Sequence, residues 1–150
     1  MGQYATLEEA NAYFATRLHS GLWGATNPTD RNNSLIVATR IIDRLNFVGD
    51  KTDVITPQEL EFPRGGDVNV PSDIKNASYE IAFALLDGVD PEMETDNLAI
   101  VSEGYSSVRA TYDRNAALPH LAAGVPSMTA WRYLLPYLRD DKSFNMSRVS

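Results

Sequence analysis

Apolar residues recur at helical spacing in four stretches of the chain, and the breaks between them carry strong turn signals. Leu7, Ala10, Phe14 and Leu18, with Tyr13 widening the stripe, predict a first amphipathic helix. Thr6 followed by Glu9 is a capping box that fixes its start, and Ser20-Gly21 is expected to end it. Trp23, in the Gly-flanked stretch that follows, is expected to pack over the helix end. A second helix is read from Leu35, Ala38, Ile42 and Leu45, with Ile36 and Ile41 alongside, Thr29 or Asp30 as its cap and Pro28 just outside. Its apolar arc is broad, which implies burial on two sides, against neighbouring helices or against a second subunit.

From Pro71 a third helix carries Ile74, Ala77, Ile81 and Leu85, broadened by Phe83 and Leu86, with Gly88 placed to terminate it; this is the expected central helix. Leu98 to Val101 and Val108 to Tyr112 flank Glu103-Gly104 and read as a β-hairpin. Met128, Trp131, Leu134, Leu135 and Leu138 mark a fourth helix, which Pro136 must kink or interrupt in its last turn. The fold class is therefore mainly α: a four-helix bundle-like domain over residues 1–139, with a small β-hairpin and a polar C-terminal tail over 140–150. Between the second and third helices runs a long Pro/Gly-punctuated loop, Asn46 to Val70, with Leu60-Glu61-Phe62-Pro63-Arg64 at its centre. A structureless connection of that length inside a compact domain implies binding, so the loop is read as an interaction surface.

Composition narrows the function. Thirteen Lys and Arg against 20 Asp and Glu leave a net charge of −7, the wrong sign for a chain that neutralises phosphates over most of its surface. The basic residues are scattered singly, so non-specific duplex binding is disfavoured. With no cysteine, disulfides, thiolate metal sites and cysteine nucleophiles are excluded, and a reducing compartment is allowed. No apolar run approaches a membrane span and no leader pattern opens the chain. Met1-Gly2-Gln3-Tyr4-Ala5-Thr6 fits a myristoylation pattern, but one acyl chain without a polybasic partner anchors poorly, and Thr6 already serves as a cap.

Candidate chemistry is sparse. His19 and His120 lie on separate elements without metal-site spacing, and His19 is read as interacting with a helix C-terminus. Gly104-Tyr105-Ser106-Ser107-Val108 lacks the closing glycine of a nucleophile elbow, and Gly65-Gly66 lacks the lysine of a phosphate loop. The acidic run Asp87, Asp90, Glu92, Glu94, Asp96 resembles part of a calcium loop, but Pro91 and the missing mid-loop glycine favour a solvated segment. No cofactor, metal or catalytic residue is expected, and the chain is read as a non-enzyme.

Tyr4 to Phe14, the Trp23 turn, Leu35 to Gly49, Leu60 to Arg64 and Pro71 to Leu86 together resemble the head-tail connector, or adaptor, family of tailed bacteriophages, some of whose members are labelled DnaT-like single-stranded-DNA-binding. The resemblance covers most of residues 4 to 113. It implies a mostly helical subunit in the neck of a virion, made in the bacterial host cytoplasm, that forms a homo-oligomeric ring, roughly twelvefold, beneath the portal protein. It also implies contact with the next neck or tail protein, and DNA passing through the lumen without specific binding. An acidic lumen would repel phosphate and prevent sticking, with Asp90, Glu92, Glu94 and Asp96 as lumen candidates. Phe62, Arg64, Phe144, Met146 and Val149 are the candidates for subunit or portal contacts. Arg64 suits a charge-assisted contact to a neighbour's carboxylate or carbonyl, against a solvated loop arginine as the plain alternative. The competing class is a single-stranded-DNA-binding accessory protein, which calls for a basic groove with exposed aromatics; a carboxylate-metal enzyme is a third.

Overall fold

A computed structural model of the chain describes residues 2–53, 58–89 and 119–139. Within them the elements are α1 (Leu7–Ala15), α2 (Gly21–Ala25), α3 (Pro28–Asp43), α4 (Ser72–Leu86), α5 (Pro119–Ala122) and α6 (Met128–Leu134), the last continuing into a 3₁₀ turn (Leu135–Tyr137). The mainly helical class stands. The expected β-hairpin, the acidic run from Asp90 onward and the tail 140–150 lie outside the described residues.

The capping box forms as read: Thr6 Oγ1 accepts the Glu9 amide at 3.1 Å and Glu9 Oε1 accepts the Thr6 amide at 2.9 Å. The helix ends at Ala15, well before Ser20. Its last carbonyls close in tighter i→i−3 bonds, Thr16 N to Tyr13 O at 3.3 Å and Arg17 N to Phe14 O at 3.4 Å, and side chains add to them: Thr16 Oγ1 donates to Tyr13 O and Ser20 Oγ to Phe14 O at 2.8 Å. His19 then adopts φ 58°, so the chain turns sharply and Leu18 is left 80% exposed instead of joining the core stripe. The turn leads into α2, a helix too short to show periodicity.

Asn27, not Thr29 or Asp30, caps α3; its Oδ1 accepts the Asp30 amide at 2.8 Å and Pro28 occupies the first helical turn. Leu35, Ala38 and Ile42 face inward and are fully buried. The central position belongs to α4, as expected. It packs most extensively on α3 and α6 and also touches α1 and α2. Ile74, Ala77 and Ile81 on α4, Leu35 and Ile42 on α3, and Ala130 and Leu134 on α6 form one core with Phe14 and Trp23. Each large side chain buried in this way stabilises by about 1.5–3 kcal/mol before chain entropy is counted. Gly88, at φ 85°, ends α4 in the left-handed conformation that only glycine adopts without strain, and the Val89 amide closes on Ala84 O. Pro136 converts the end of α6 into the 3₁₀ turn, as its missing amide requires. No helix among the described residues is long and apolar enough to cross a membrane.

Candidate functional site

The long loop is not structureless, which corrects the reading of it as a draped surface. Arg64 is its hub. Its Nε donates to Val48 O at 3.1 Å, Nη2 to Phe47 O at 3.4 Å and to Gly49 O, and Nη1 to the Glu61 carboxylate at 2.7 Å and to Glu61 O at 3.3 Å. The carbonyls of three successive residues converge on one guanidinium because Gly49 takes φ 82° and turns the chain around the cation. Two single-residue antiparallel pairings frame this cage. Phe47 pairs with Leu138 and Lys51 with Arg64. The Val48 amide reaches Tyr137 O, the Arg139 amide Asn46 O, the Thr52 amide Pro63 O and the Gly65 amide Asp50 O, all at 2.9–3.0 Å. Arg139 Nη2 adds a second cation on Phe47 O at 3.2 Å.

Phe62, preceding a cis Phe62–Pro63 bond, carries the loop into the core. Its ring meets Tyr4, Phe47 and Tyr137 edge-on at 6.1, 4.6 and 5.8 Å. Beneath it the Tyr4 hydroxyl donates to Asp43 Oδ1 and accepts the Phe62 amide at 3.3 Å, while Tyr4 N donates to Thr39 Oγ1 at 3.1 Å. Burial pushes the Asp43 carboxyl above its usual range, and burial together with Asp43 raises the Tyr4 hydroxyl further still. The N-terminal segment, α3 and the loop are thus joined at one polar knot. Gln58 completes the loop, with Nε2 donating to Leu60 O and Pro63 O at 2.7 and 3.0 Å.

A second polar cluster centres on α4. Glu80 is 4% exposed and takes Arg17 Nε and Nη2 at 3.0 and 2.9 Å, a two-point ion pair, plus the Tyr13 hydroxyl at 2.5 Å. The Arg17 guanidinium also lies over the Phe83 ring at 4.3 Å, and its hydrogen bond to Glu80 holds its pKa above the ordinary value. Beside it, Trp23 stacks on Phe14 at 4.4 Å and donates to Asn11 Oδ1 at 2.8 Å, confirming its packing role. A shallow cleft of about 370 Å³ is left there, bordered by Asn11, Ser20, Trp23 and Arg31. Three carbonyl-type acceptors hold Arg31: Thr26 O, Gly24 O and Asn11 Oδ1.

The interface candidates are placed as follows. The charge-assisted contacts expected of Arg64 are made within its own chain, and its side chain is 11% exposed, so neither an intersubunit arginine nor a solvated one describes it. Phe62, 4% exposed, is a core residue closed to any partner. Phe144, Met146 and Val149 and the lumen candidates Asp90, Glu92, Glu94 and Asp96 lie outside the described residues. His19 is exposed, beyond the end of α1. His120 is buried with Nδ1 unpartnered, and burial lowers its pKa. Among the described residues no group of three or more His, Cys, Asp or Glu sits together as a metal site needs. Arg17, Glu80, Tyr4 and Asp43 escaped sequence reading. Glu80 alone carried a signal, a charge set between Tyr79 and Ile81 on the most buried helix.

This is a small helical domain whose long loop is tied into the core by buried polar hubs. The chain belongs to the family described as "Putative DnaT-like ssDNA binding protein", whose profile matches residues 2–149. The match runs past the 4–113 stretch of the sequence resemblance and takes in most of the tail. No curated protein and no solved structure matches the chain.

Proposed function

We propose that this chain is a structural assembly subunit, of the kind that forms the head-tail connector ring of a tailed bacteriophage between the portal and the next neck or tail protein. The observation that carries the reading is where most of the cations and many of the aromatic rings of the described residues go. Arg17, Arg31, Arg64, Lys51, Lys75 and Arg139 each bond to acceptors of their own chain, and Tyr4, Phe14, Trp23, Phe47, Phe62 and Tyr79 are buried. Phosphate contacts and base stacking need those same groups at the surface. A net charge of −7 also suits a passage through which DNA slides without sticking. The chain's resemblance to connectors over residues 4–113 supplies the assembly it would join; ring, portal and lumen rest on that resemblance.

The second reading is a single-stranded-DNA-binding protein. The family description favours it over the connector, since the description names that activity and mentions no virion part. One titration separates the two: labelled single-stranded and duplex DNA, at low and at physiological salt. The connector reading expects no micromolar binding at physiological salt. Micromolar or tighter binding with a steep salt slope would replace it by the DNA-binding reading. Mixing the protein with a cognate portal and imaging by electron microscopy supplies the positive arm, in which a ring on the portal is the expected result.

A further inference from the structure

Arg31, near the start of α3, is fixed in place by neutral oxygens alone. Its Nε donates to Thr26 O at 2.8 Å, Nη2 to Gly24 O at 3.1 Å and Nη1 to Asn11 Oδ1 at 3.3 Å. Among the described residues the ion pairs fall to Arg17, Lys51, Arg64 and Lys75, so the Arg31 charge is oriented but not compensated by a carboxylate. A guanidinium has five N–H donors, and two of these remain, one on each terminal nitrogen. Asn11 adds donors at the same place. Its Oδ1 accepts both Trp23 Nε1, at 2.8 Å, and Arg31, which sets the amide one way round and leaves its Nδ2 group without a partner among the described residues. Both side chains border the cleft of about 370 Å³ where α1, α2 and the start of α3 meet, and Ala15 with the stacked Phe14 and Trp23 rings makes its apolar side. That volume lies within the range of small-ligand sites.

We propose that this cleft binds a planar, singly charged carboxylate, its oxygens on the spare Arg31 and Asn11 donors and its body against Ala15 and the edges of the two rings. Charge-assisted N–H···O⁻ bonds are the strong kind, and three hydrogen bonds already hold the guanidinium, so little ordering remains to be done on binding. The charge of the lining sets the class of ligand. Arg31 is its one charged residue, in a chain of net charge −7, and a single cation matches a single negative charge. A phosphate ester near neutral pH carries about −1.5 to −2 and points three oxygens in three directions, more than this lining can meet. One spare cation is also no track for a nucleic-acid strand, so the site is independent of both functional readings above. A small free acid and the end of an Asp or Glu side chain on a partner share this chemistry.

The chain has two tryptophans: the Trp23 indole N–H is bonded to Asn11 at the cleft, and Trp131 lies away from it on α6. Their indole signals in a nitrogen-correlated NMR spectrum of the full chain therefore give a probe and an internal control, told apart by Trp131→Phe. Sodium benzoate stands for the free acid and N-acetylglutamic acid α-amide for the side chain, each titrated against sodium chloride at constant ionic strength. At least one should shift the Trp23 signal saturably, half-saturating on the order of 1 mM as ligands of few atoms do, while the Trp131 signal stays in place. The tighter of the two names the source. Asn11→Asp keeps the acceptor for Trp23 and Arg31 but sets a fixed carboxylate beside the guanidinium, so it should weaken binding about tenfold or more with helix content unchanged by circular dichroism. Arg31→Gln should abolish saturation, and Asn11→Asp decides where that variant does not fold. Shifts no larger than chloride produces, inorganic phosphate binding as tightly as either acid, or undiminished binding by Asn11→Asp each overturn the proposal.

Discussion

The helical layer and the 46–70 loop are held by different physics. Between α3, α4 and α6 the contacts are aliphatic and non-directional: Leu35, Ile42, Ile74, Ile81 and Leu134 are buried with no polar partner to satisfy. The loop adds to its apolar anchors, Phe47 and Phe62, a set of directed hydrogen bonds onto backbone carbonyls, and one side chain, Arg64, holds acceptors from Phe47, Val48, Gly49 and Glu61. The first kind of region tolerates conservative exchange of one apolar residue for another. The second depends on a planar five-donor group in one place and fails as a unit when that group is changed.

The largest effect is expected where the two regions meet. Phe62→Ala removes a ring packed on Tyr4, Phe47 and Tyr137 and should destabilise by about 3–5 kcal/mol in chemical denaturation. A loss under 1 kcal/mol would mean that the loop is not part of the core. Next, Arg64→Ala leaves several part-buried carbonyls and the Glu61 carboxylate without their donor and should cost about 2–4 kcal/mol. Arg64→Lys should recover less than half of that, because an ammonium cannot span the same acceptors; full recovery would show that charge alone matters there.

Asp43 sharpens the comparison through pH. Burial raises its folded pKa above the unfolded value near 3.9, so its favourable contribution is complete below that value and is lost as pH rises through the folded pKa. Asp43→Asn keeps an acceptor for the Tyr4 hydroxyl and the Glu61 amide and cannot ionise. Stability of the variant should fall less than that of the parent between about pH 4 and 7, and at pH 7 should match or exceed it within about 1 kcal/mol. A variant curve that runs parallel to the parent's across this window would contradict the buried, raised carboxyl. The smallest effect belongs to the purely local device: Thr6→Ala removes the cap of α1 and should cost about 1 kcal/mol in chemical denaturation.

What sequence reading recovered divides along the same line. The capping box, the central α4, the inner face of α3 and the break at Pro136 follow from periodicity and local chemistry, which a single chain displays directly; on α6 only Leu134 of the expected stripe is fully buried, beside Ala130, while Met128 and Leu135 are exposed. The cap of α3 was displaced by two or three residues, because Asn27 competes with Thr29 and Asp30 and only the geometry at Pro28 decides. Leu18 fits the helical repeat and yet stays outside, since the helix tightens at Thr16 and Arg17 and the chain turns at His19, φ 58°, with Ser20 Oγ on Phe14 O. Arg64 was singled out for the right chemistry and the wrong partner: a guanidinium on a Pro/Gly-rich loop reads as available, and nothing local in the sequence announces that Gly49 bends fifteen residues away to enclose it. The Tyr4–Asp43 and Arg17–Glu80 pairs, 39 and 63 residues apart, are invisible to any periodic pattern.

Native-state hydrogen exchange tests the central claim, that the loop is a folded part of the domain tied in by Arg64. The amides of Val48, Thr52, Gly65 and Arg139 should be protected in the parent, and Arg64→Ala should release all four together while the α4 amides around Ile81 keep their protection. Exchange of those four amides at the unprotected rate in the parent, with α4 protected, would contradict it and return the loop to the role of a free surface.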